Sequence, residues 1–253
     1  MRIGIALNLK KNKQRLVEEF VTCLQELNIP YCYQSQSQDF DILVCFGGDG
    51  TTLYYGRRYA GVVPIITVNA GTVGFLSQIL PKRADFLNAL TRLQNLDYKI
   101  KNCSLLQVKD TDVVAVNEMF ICNAYRGNTV TVSAYLNDQF LCKHTGDGLI
   151  ISTPVGSTAY SLSCNGSVLL ADTNCFYLNP ISTIGASNQI VYKDSDTLKL
   201  ELSNNACLYA DGILQDVTFI DNKVEIVKLP QTLQLITLKN DFFEKLRKIG
   251  RVE

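Results

Sequence analysis

The run Asp41-Ile42-Leu43-Val44-Cys45-Phe46 ends on Gly47-Gly48-Asp49-Gly50-Thr51, and this junction constrains the fold more than any other stretch of the chain. A short apolar run that stops in glycines reads as a buried strand followed by a sharp turn, because no Cβ holds the main chain away from its neighbours. Such a turn brings backbone N–H groups close to an anionic oxygen, and phosphate is the natural guest. Asp49, in the middle of the turn, then stands where a carboxylate accepts a proton from an attacking hydroxyl or helps to hold a metal ion. The same residues also fit a structural turn in which Asp49 only caps the next helix through its side-chain oxygen.

The surrounding sequence puts this run in a parallel sheet. Ile3 to Leu7 reads as a buried strand, and Asn12 as the N-cap of an amphipathic helix with Leu16, Val17, Phe20, Val21, Leu24 and Leu27 on one face. A short strand near Pro30–Tyr33 follows, then the strand over Ile42–Phe46, a helix from about Thr52, and an apolar strand over Pro64–Val68. A helix from about Pro81 to Leu96, with Phe86, Leu87, Leu90 and Leu93 inward, closes this part. Strand and helix alternate, as parallel sheets require. The Pro64–Val68 strand ends in a second glycine-bearing loop, Asn69-Ala70-Gly71-Thr72-Val73-Gly74-Phe75-Leu76. Ligands of open α/β sheets sit outside the carboxyl ends of strands, where both loops fall. Neither loop is a GxGxxG fingerprint or a Walker A loop.

From Tyr98 the pattern changes to short alternating strands, at 98–109, 112–122, 129–137, 139–145 and 148–153. Leu136-Asn137-Asp138-Gln139 reads as a hairpin turn, and Ser203-Asn204-Asn205-Ala206 as another between Leu198–Leu202 and Cys207–Ala210. A further pair of strands falls across Val217–Lys228 and Leu233–Leu238, before an amphipathic helix with Phe242, Phe243 and Leu246. The chain therefore divides near residue 97 into an α/β domain, 1–97, and a β-rich domain, 98–238.

Lys+Arg and Asp+Glu both total 24, so no basic excess argues for a nucleic-acid partner or an anionic membrane. Any anion must be met by local geometry. The nine cysteines form no CxxC pair and mostly lie in apolar runs, which reads as buried thiols. With His144 the one imidazole, a structural zinc site is not expected, and the odd cysteine count points to a reducing cytoplasm. His144 itself reads as a strand-end residue, not a base, since no nucleophile pairs with it in the sequence. Met1 to Leu7 is too short an apolar segment for a signal peptide, and no run approaches the roughly 20 apolar residues that span a bilayer.

Two further stretches carry polar chemistry. Thr145 to Ser163 is an apolar strand between two turns rich in glycine and hydroxyls, and Gly156-Ser157-Thr158 after Pro154 fits a helix N-terminus. Free N–H groups there suit a phosphate or a ribose oxygen; the plain alternative is an ordinary N-cap. Asn117-Glu118 sets an amide and a carboxylate side by side after the apolar run Val113–Val116. That pair suits the two hydroxyls of a sugar diol, and equally a solvated turn.

Taken together, these segments resemble the bacterial NAD kinases. The family's Gly-Gly-Asp-Gly-Thr matches Gly47 to Thr51, its Asn-x-Gly-x-x-Gly-Phe-Leu loop matches Asn69 to Leu76, and its Asn-Glu pair matches Asn117-Glu118. Its Asp-Gly-Leu-Ile-Ile-Ser-Thr-Pro-Thr-Gly-Ser-Thr-Ala-Tyr-Ser-Leu-Ser matches Asp147 to Ser163 with Val155 as the one change, and a late Asp-Gly matches Asp211-Gly212. The resemblance implies a Rossmann-like N-terminal α/β domain, a β-rich, sandwich-like C-terminal domain, and a last segment, 239–253, whose helix over about Asp241 to Lys248 packs back on the first domain. It implies transfer of phosphate from ATP, with magnesium or another divalent cation, to the 2′-hydroxyl of the adenosine ribose of NAD. It also implies a homo-dimer or homo-tetramer in the cytoplasm.

By the same resemblance Asp49 is the catalytic carboxylate, and Gly47, Gly48, Gly50 and Thr51 form the phosphate-side loop. NAD would be met by Asp49, Gly50, Gly71, Phe75, Asn117, Glu118, Thr145 and Asp147, and by Ser157, Thr158, Ala159, Tyr160, Ser163 and Ser182. The chain departs from the family pattern in three places. Thr145 stands where the family often has Arg, Ile213 follows Asp211-Gly212 where it has Gln, and 181–189 lacks the family's His and Arg. Lipid kinases of the diacylglycerol or sphingosine type share Gly-Gly-Asp-Gly-Thr, and a non-catalytic dinucleotide sensor is the alternative of another class.

Overall fold

The computed structural model describes residues 1–7, 14–70, 74–185 and 187–248; the expected N-cap Asn12 and the loop residue Gly71 lie outside them. In chain order the first elements are β1 (Ile3–Leu7), α1 (Gln14–Glu26), β2 (Tyr31–Tyr33), β3 (Ile42–Gly47), α2 (Asp49–Tyr59), β4 (Ile65–Asn69), α3 (Arg83–Gln94) and β5 (Lys99–Cys103). Next come β6 (Leu106–Val108), β7 (Val114–Ala115), β8 (Glu118–Asn123), β9 (Val130–Leu136), β10 (Gln139–Gly146), β11 (Gly148–Ser152) and the one-turn helix α4 (Tyr160–Ser163). The remainder is β12 (Cys175–Ile181), β13 (Ile190–Lys193), β14 (Leu198–Leu202), β15 (Ala206–Ala210), β16 (Ile213–Gln215), β17 (Lys223–Lys228), β18 (Leu233–Thr237) and α5 (Phe242–Lys248). Two compact units result, one of Met1–Asn102 with the segment from Leu233 onward, the other of Cys103–Thr232.

The first unit is built on a six-stranded sheet ordered β2-β1-β3-β4-β18-β5, in which β1, β2, β3 and β4 run parallel. Every residue of β3 is buried, as an unbroken apolar strand in a covered parallel sheet must be. Helix α1 turns Val17, Phe20, Cys23 and Leu24 inward, and α3 does the same with Phe86, Ala89, Leu90 and Leu93. Phe20 holds the two helices to the sheet: its ring meets Phe46 of β3 at 5.1 Å and Phe86 of α3 at 5.3 Å, both edge to face. Strand β18 lies beside β4, with Leu235 opposite Ile65, so the segment after Leu233 completes this sheet and forms no pair with β17.

The second unit is a sandwich of two antiparallel sheets, ordered β10-β9-β14-β17-β6-β7 and β13-β12-β11-β8-β15-β16. Val132, Ala134, Leu200 and Ile226 of one sheet share a core with Met119, Ile121, Ile151 and Leu178 of the other. The hairpin expected at Leu136–Gln139 is present, with Gln139 paired to Leu136 and both Asn137 and Asp138 at positive φ. The hairpin expected at Ser203–Ala206 is not. Strand β14 pairs with β9 and β17 while β15 pairs with β8, so this turn carries the chain from one sheet to the other. Alternation fixed which face of each strand is buried, and an arch satisfies it as well as a hairpin does.

Other expectations shift for local reasons. The strand expected over 98–109 divides into β5 and β6, which belong to different sheets. The strand expected over 112–122 breaks at Val116-Asn117, and of 217–228 only Lys223–Lys228 is extended, after Asp221 and Asn222 at positive φ. Helix α2 begins at Asp49 rather than near Thr52, because Gly48 serves as its cap. The strands β12, β13 and β16 lie where the sequence pattern marks no strand. All nine cysteines are free, five of them buried and four half-buried. Removing the ring that joins α1, β3 and α3 tests this packing: Phe20→Ala should lower unfolding stability by about 3–5 kcal/mol in denaturant titration. A loss under ~1 kcal/mol would show that the three aromatic rings do not organise this core.

Candidate functional site

In the first unit the two glycine loops lie side by side, because β3 and β4 are adjacent and parallel, with Gly47 in register with Asn69. The N–H of Ala70 donates to the Gly47 carbonyl at 3.1 Å, and the hydroxyls of Thr52 and Thr67 meet at 2.8 Å beneath. Gly47 admits no side chain, since a Cβ there would collide with Thr51. Gly48 and Gly50 face open space instead, which leaves the first turn of α2 approachable by an anion. Asp49 is the first residue of α2, and its carboxylate accepts two backbone hydrogen bonds: from Phe75 N–H at 2.9 Å and from Leu76 N–H at 3.0 Å. The alternative in which the Asp49 side chain only caps its helix is thus replaced by bonds to the neighbouring loop.

In the second unit Asn117 and Glu118 are buried, not solvated. The break in the strand at Val116-Asn117 has a specific cause. The Asp211 carboxylate accepts the N–H groups of Val116 at 3.0 Å, Asn117 at 2.7 Å and Glu118 at 3.3 Å, in place of a neighbouring strand. Asp211 itself sits at φ 47°, in the turn between β15 and β16. Gly156 packs directly on the Asn117 backbone, so closely that a Cβ would overlap its carbonyl. Glu118, Phe120 and Cys122 alternate with the core residues Met119 and Ile121, and so share the face of β8 turned away from the sandwich core. On that face the Phe120 ring meets Tyr160 at 5.5 Å and Tyr209 at 6.2 Å.

Glu118 is one of two buried side chains among the described residues that carry an unpartnered polar atom, the other being Tyr192. Glu118 is 6% exposed, and its Oε2 has no hydrogen-bond partner. Burial, and then the nearby Asp211 charge, push its pKa up to about 8, against a weaker pull from the Tyr160 backbone. A carboxyl group of this kind is neutral at pH 7 and can both donate to and accept from a hydroxyl.

The other expected site residues divide. Tyr160 and Ala159 stand at the start of α4, with Thr158 just before them, whereas the Ser157 hydroxyl is committed to the Pro154 carbonyl and to Leu169. Gly156–Thr158 forms a 3-10 turn that runs on to α4, so the helical start expected there is short; the cap residue Val155 makes no side-chain bond, and the Gly156 N–H donates to the Thr153 hydroxyl at 3.0 Å instead. Thr145 is half-buried with its hydroxyl on Thr131 at 2.9 Å; Asp147, Ser163 and Ser182 are exposed, Ser182 at φ 47°. His144 lies within β10, buried, with Nδ1 at 2.5 Å from Ser187 Oγ and Nε2 at 3.1 Å from Cys142 Sγ, so it does have hydroxyl and thiol neighbours. Burial pushes its pKa down. Phe120 and the amide-binding role of Asp211 escape a reading of sequence; the one signal for Phe120 is its place two residues after Glu118 on an alternating strand.

Glu118 titrates in a way that folding stability reports. Its raised pKa means the folded chain holds a proton that the unfolded chain releases above its ordinary value of 4.5. Stability contributed below pH 4.5 is therefore lost as pH rises to about 8, by at most about 1.4 kcal/mol per pH unit. Glu118→Gln should flatten that part of the stability–pH curve, read from urea midpoints between pH of about 5 and 8. An unchanged slope would remove Glu118 as the titrating group.

The chain is similar to known proteins. The chain matches the model of the ATP-NAD kinase N-terminal domain over residues 5–98 and that of the ATP-NAD kinase C-terminal domain over residues 116–238. An NAD kinase of Porphyromonas gingivalis is 34% identical over 221 residues, covering 83% of this chain and 76% of that protein. An NAD kinase of Christiangramia forsetii is 31% identical over 229 residues, covering 85% of this chain and 77% of that one. The fold matches a crystal structure of an NAD kinase from Archaeoglobus fulgidus in complex with ATP, with a TM-score of 0.83 at 23% identity, over 99% of this chain and 100% of that one. Among the described residues no helix is long and apolar enough to cross a membrane. Both domain models, and relatives above 30% identity along most of their length, place this chain in the ATP-NAD kinase family.

Proposed function

We propose that the chain transfers the terminal phosphoryl group of ATP to the 2′-hydroxyl of the adenosine ribose of NAD, giving NADP and ADP. The observation that carries this reading is the placement of Asp49 at the open first turn of α2, at the carboxyl ends of two adjacent parallel strands. In the reaction the ribose O–H bond breaks and its proton passes to the Asp49 carboxylate. The ribose oxygen bonds to phosphorus, and the bond from phosphorus to ADP breaks. The Phe75 and Leu76 amides fix the orientation of the carboxylate and leave lone pairs on both oxygens for that proton. Gly47, Gly48, Gly50 and Thr51 form the phosphate side, where the positive end of α2, open at Gly48 and Gly50, offsets the negative charge.

Asn117 and Glu118 would hold ribose hydroxyls, which supplies the partner that Glu118 Oε2 lacks. Tyr160, beside Phe120, offers an aromatic surface to a nucleoside, and such walls suit a flat base better than an acyl chain. That aromatic wall favours a nucleoside over the acyl chain of the lipid-kinase alternative. Among the described residues no three His, Cys, Asp or Glu side chains cluster so as to hold a metal ion. A divalent cation, magnesium in this reading, would come with the triphosphate and shield its charge. A cytoplasmic homo-dimer or homo-tetramer completes the reading, and nine free thiols suit a reducing compartment.

Purified protein given ATP, magnesium and NAD should form NADP, measured by a dehydrogenase-coupled assay. Asp49→Asn should lose at least about a hundredfold in kcat, the lower end of what a positioned acid or base supplies, while still binding NAD. Wild-type protein that binds NAD without forming NADP would point to the sensor, and a full-rate Asp49→Asn variant would refute the role given to Asp49.

A further inference from the structure

The amides that hold Asp49 belong to a loop that is itself tied down from the far end of the chain. The Lys245 ammonium, on α5, donates to the Ser77 carbonyl at 2.5 Å and pairs with Asp241 at 3.2 Å. Ser77 is the residue after Leu76, and its hydroxyl turns back onto the Gly74 carbonyl at 2.9 Å. Gln78 adds a second tie: its Oε1 accepts the N–H groups of Leu238 and Lys239, and its Nε2 donates to Asp241 at 3.4 Å. The Phe75 ring rests edge to face against Phe242 at 5.4 Å. Residues 75 to 78 are thus gripped on one side by 238–245 while Phe75 and Leu76 present their N–H groups to Asp49 on the other.

Within this grip Lys245 differs from its neighbours. Its side chain is 15% exposed, against 68% for Lys248 on the same helix, and Asp241 beside it is 9% exposed. Burial pushes the Lys245 pKa down, while the carboxylates of Asp241 and Asp49 pull it up, so its charge is felt at both. A desolvated ammonium–carbonyl bond is directional and stronger than a neutral one. Its loss frees a buried carbonyl one residue from the amides that orient Asp49.

We propose that Lys245 is a positioning residue for the kinase reaction: by clamping the Ser77 carbonyl it keeps the Phe75 and Leu76 amides on the Asp49 carboxylate. The C-terminal helix is then part of the catalytic apparatus as well as of the core. This rests on the proposed function for its kinetic readout only.

The test compares Lys245→Met, which keeps the stem and removes the donor, with Lys245→Arg and with the exposed Lys248→Met. Lys245→Met should lower kcat by about ten- to a hundredfold, the range that a displacement of about 1 Å costs, with KM for NAD changed less than about twofold. Lys245→Arg should recover most of the loss, and Lys248→Met should match wild type. In the Asp49→Asn background Lys245→Met should add little, because both changes act on one group. Amide hydrogen exchange, which needs no activity, should quicken at Phe75 and Leu76 in Lys245→Met and not in Lys248→Met. Unaltered exchange at those amides, or an equal kinetic loss with and without Asp49, would overturn the proposal. If the wild type makes no NADP, the function fails while the exchange experiment still decides the clamp. If Lys245→Met does not fold, Lys245→Gln is read in its place by the same two measures.

Discussion

A carboxylate that captures backbone amides is the interaction on which this structure most depends. Asp49 does so between two loops: it begins α2 yet spends its side chain on Phe75 and Leu76, so the ends of β3 and β4 act as one piece. A free loop of glycines and small residues would lose much conformational entropy on meeting a ligand. At Phe75 and Leu76 that ordering is already made, by charge-assisted bonds to Asp49 that use only their backbone N–H groups. The same bonds set the direction of the carboxylate, which the proposed role of Asp49 as general base would need beyond charge.

The other unit uses the device a second time with a different outcome. Asp211 gathers the N–H groups of Val116, Asn117 and Glu118, which breaks a strand that the apolar pattern alone would have continued. Three amide donors stabilise the Asp211 charge, and that charge in turn works against ionisation of Glu118. One carboxylate is satisfied so that its neighbour stays protonated. Such division of labour between two acids, set by environment, is a recurring way for a site to obtain both a fixed negative charge and a hydrogen-bond donor.

How far this was legible in the sequence depends on how local the determining interaction is. The run Ile42–Phe46, the glycines after it and the helical faces around Phe20 and Phe86 declare themselves because period and composition act over a few residues. The candidate residues Asp49, Asn117 and Glu118 could be named from their motifs. What they bond to could not, since Asp49 meets residues 26 and 27 positions away and Asn117 meets one 94 positions away. The hairpin expected at Ser203–Ala206 failed for a related reason: a period of two specifies a buried face and says nothing of which sheet owns it. Strands β12 and β13 were hidden by length and composition, one containing Asn179 and Pro180 and the other only four residues long.

The position of α5 follows the same logic one step further. Phe242 and Leu246 give the helix an apolar side that any hydrophobic surface could accept, so burial explains that it packs but not where. Its place is set by polar bonds of fixed geometry, Lys245 to the Ser77 carbonyl and Gln78 to the backbone at Leu238 and Lys239. Apolar contact is roughly proportional to area and tolerates sliding, whereas a buried ammonium without its carbonyl is costly at once. Specific polar ties at the end of the chain therefore fix the register of a loop near its beginning, and the orientation of Asp49 inherits that register.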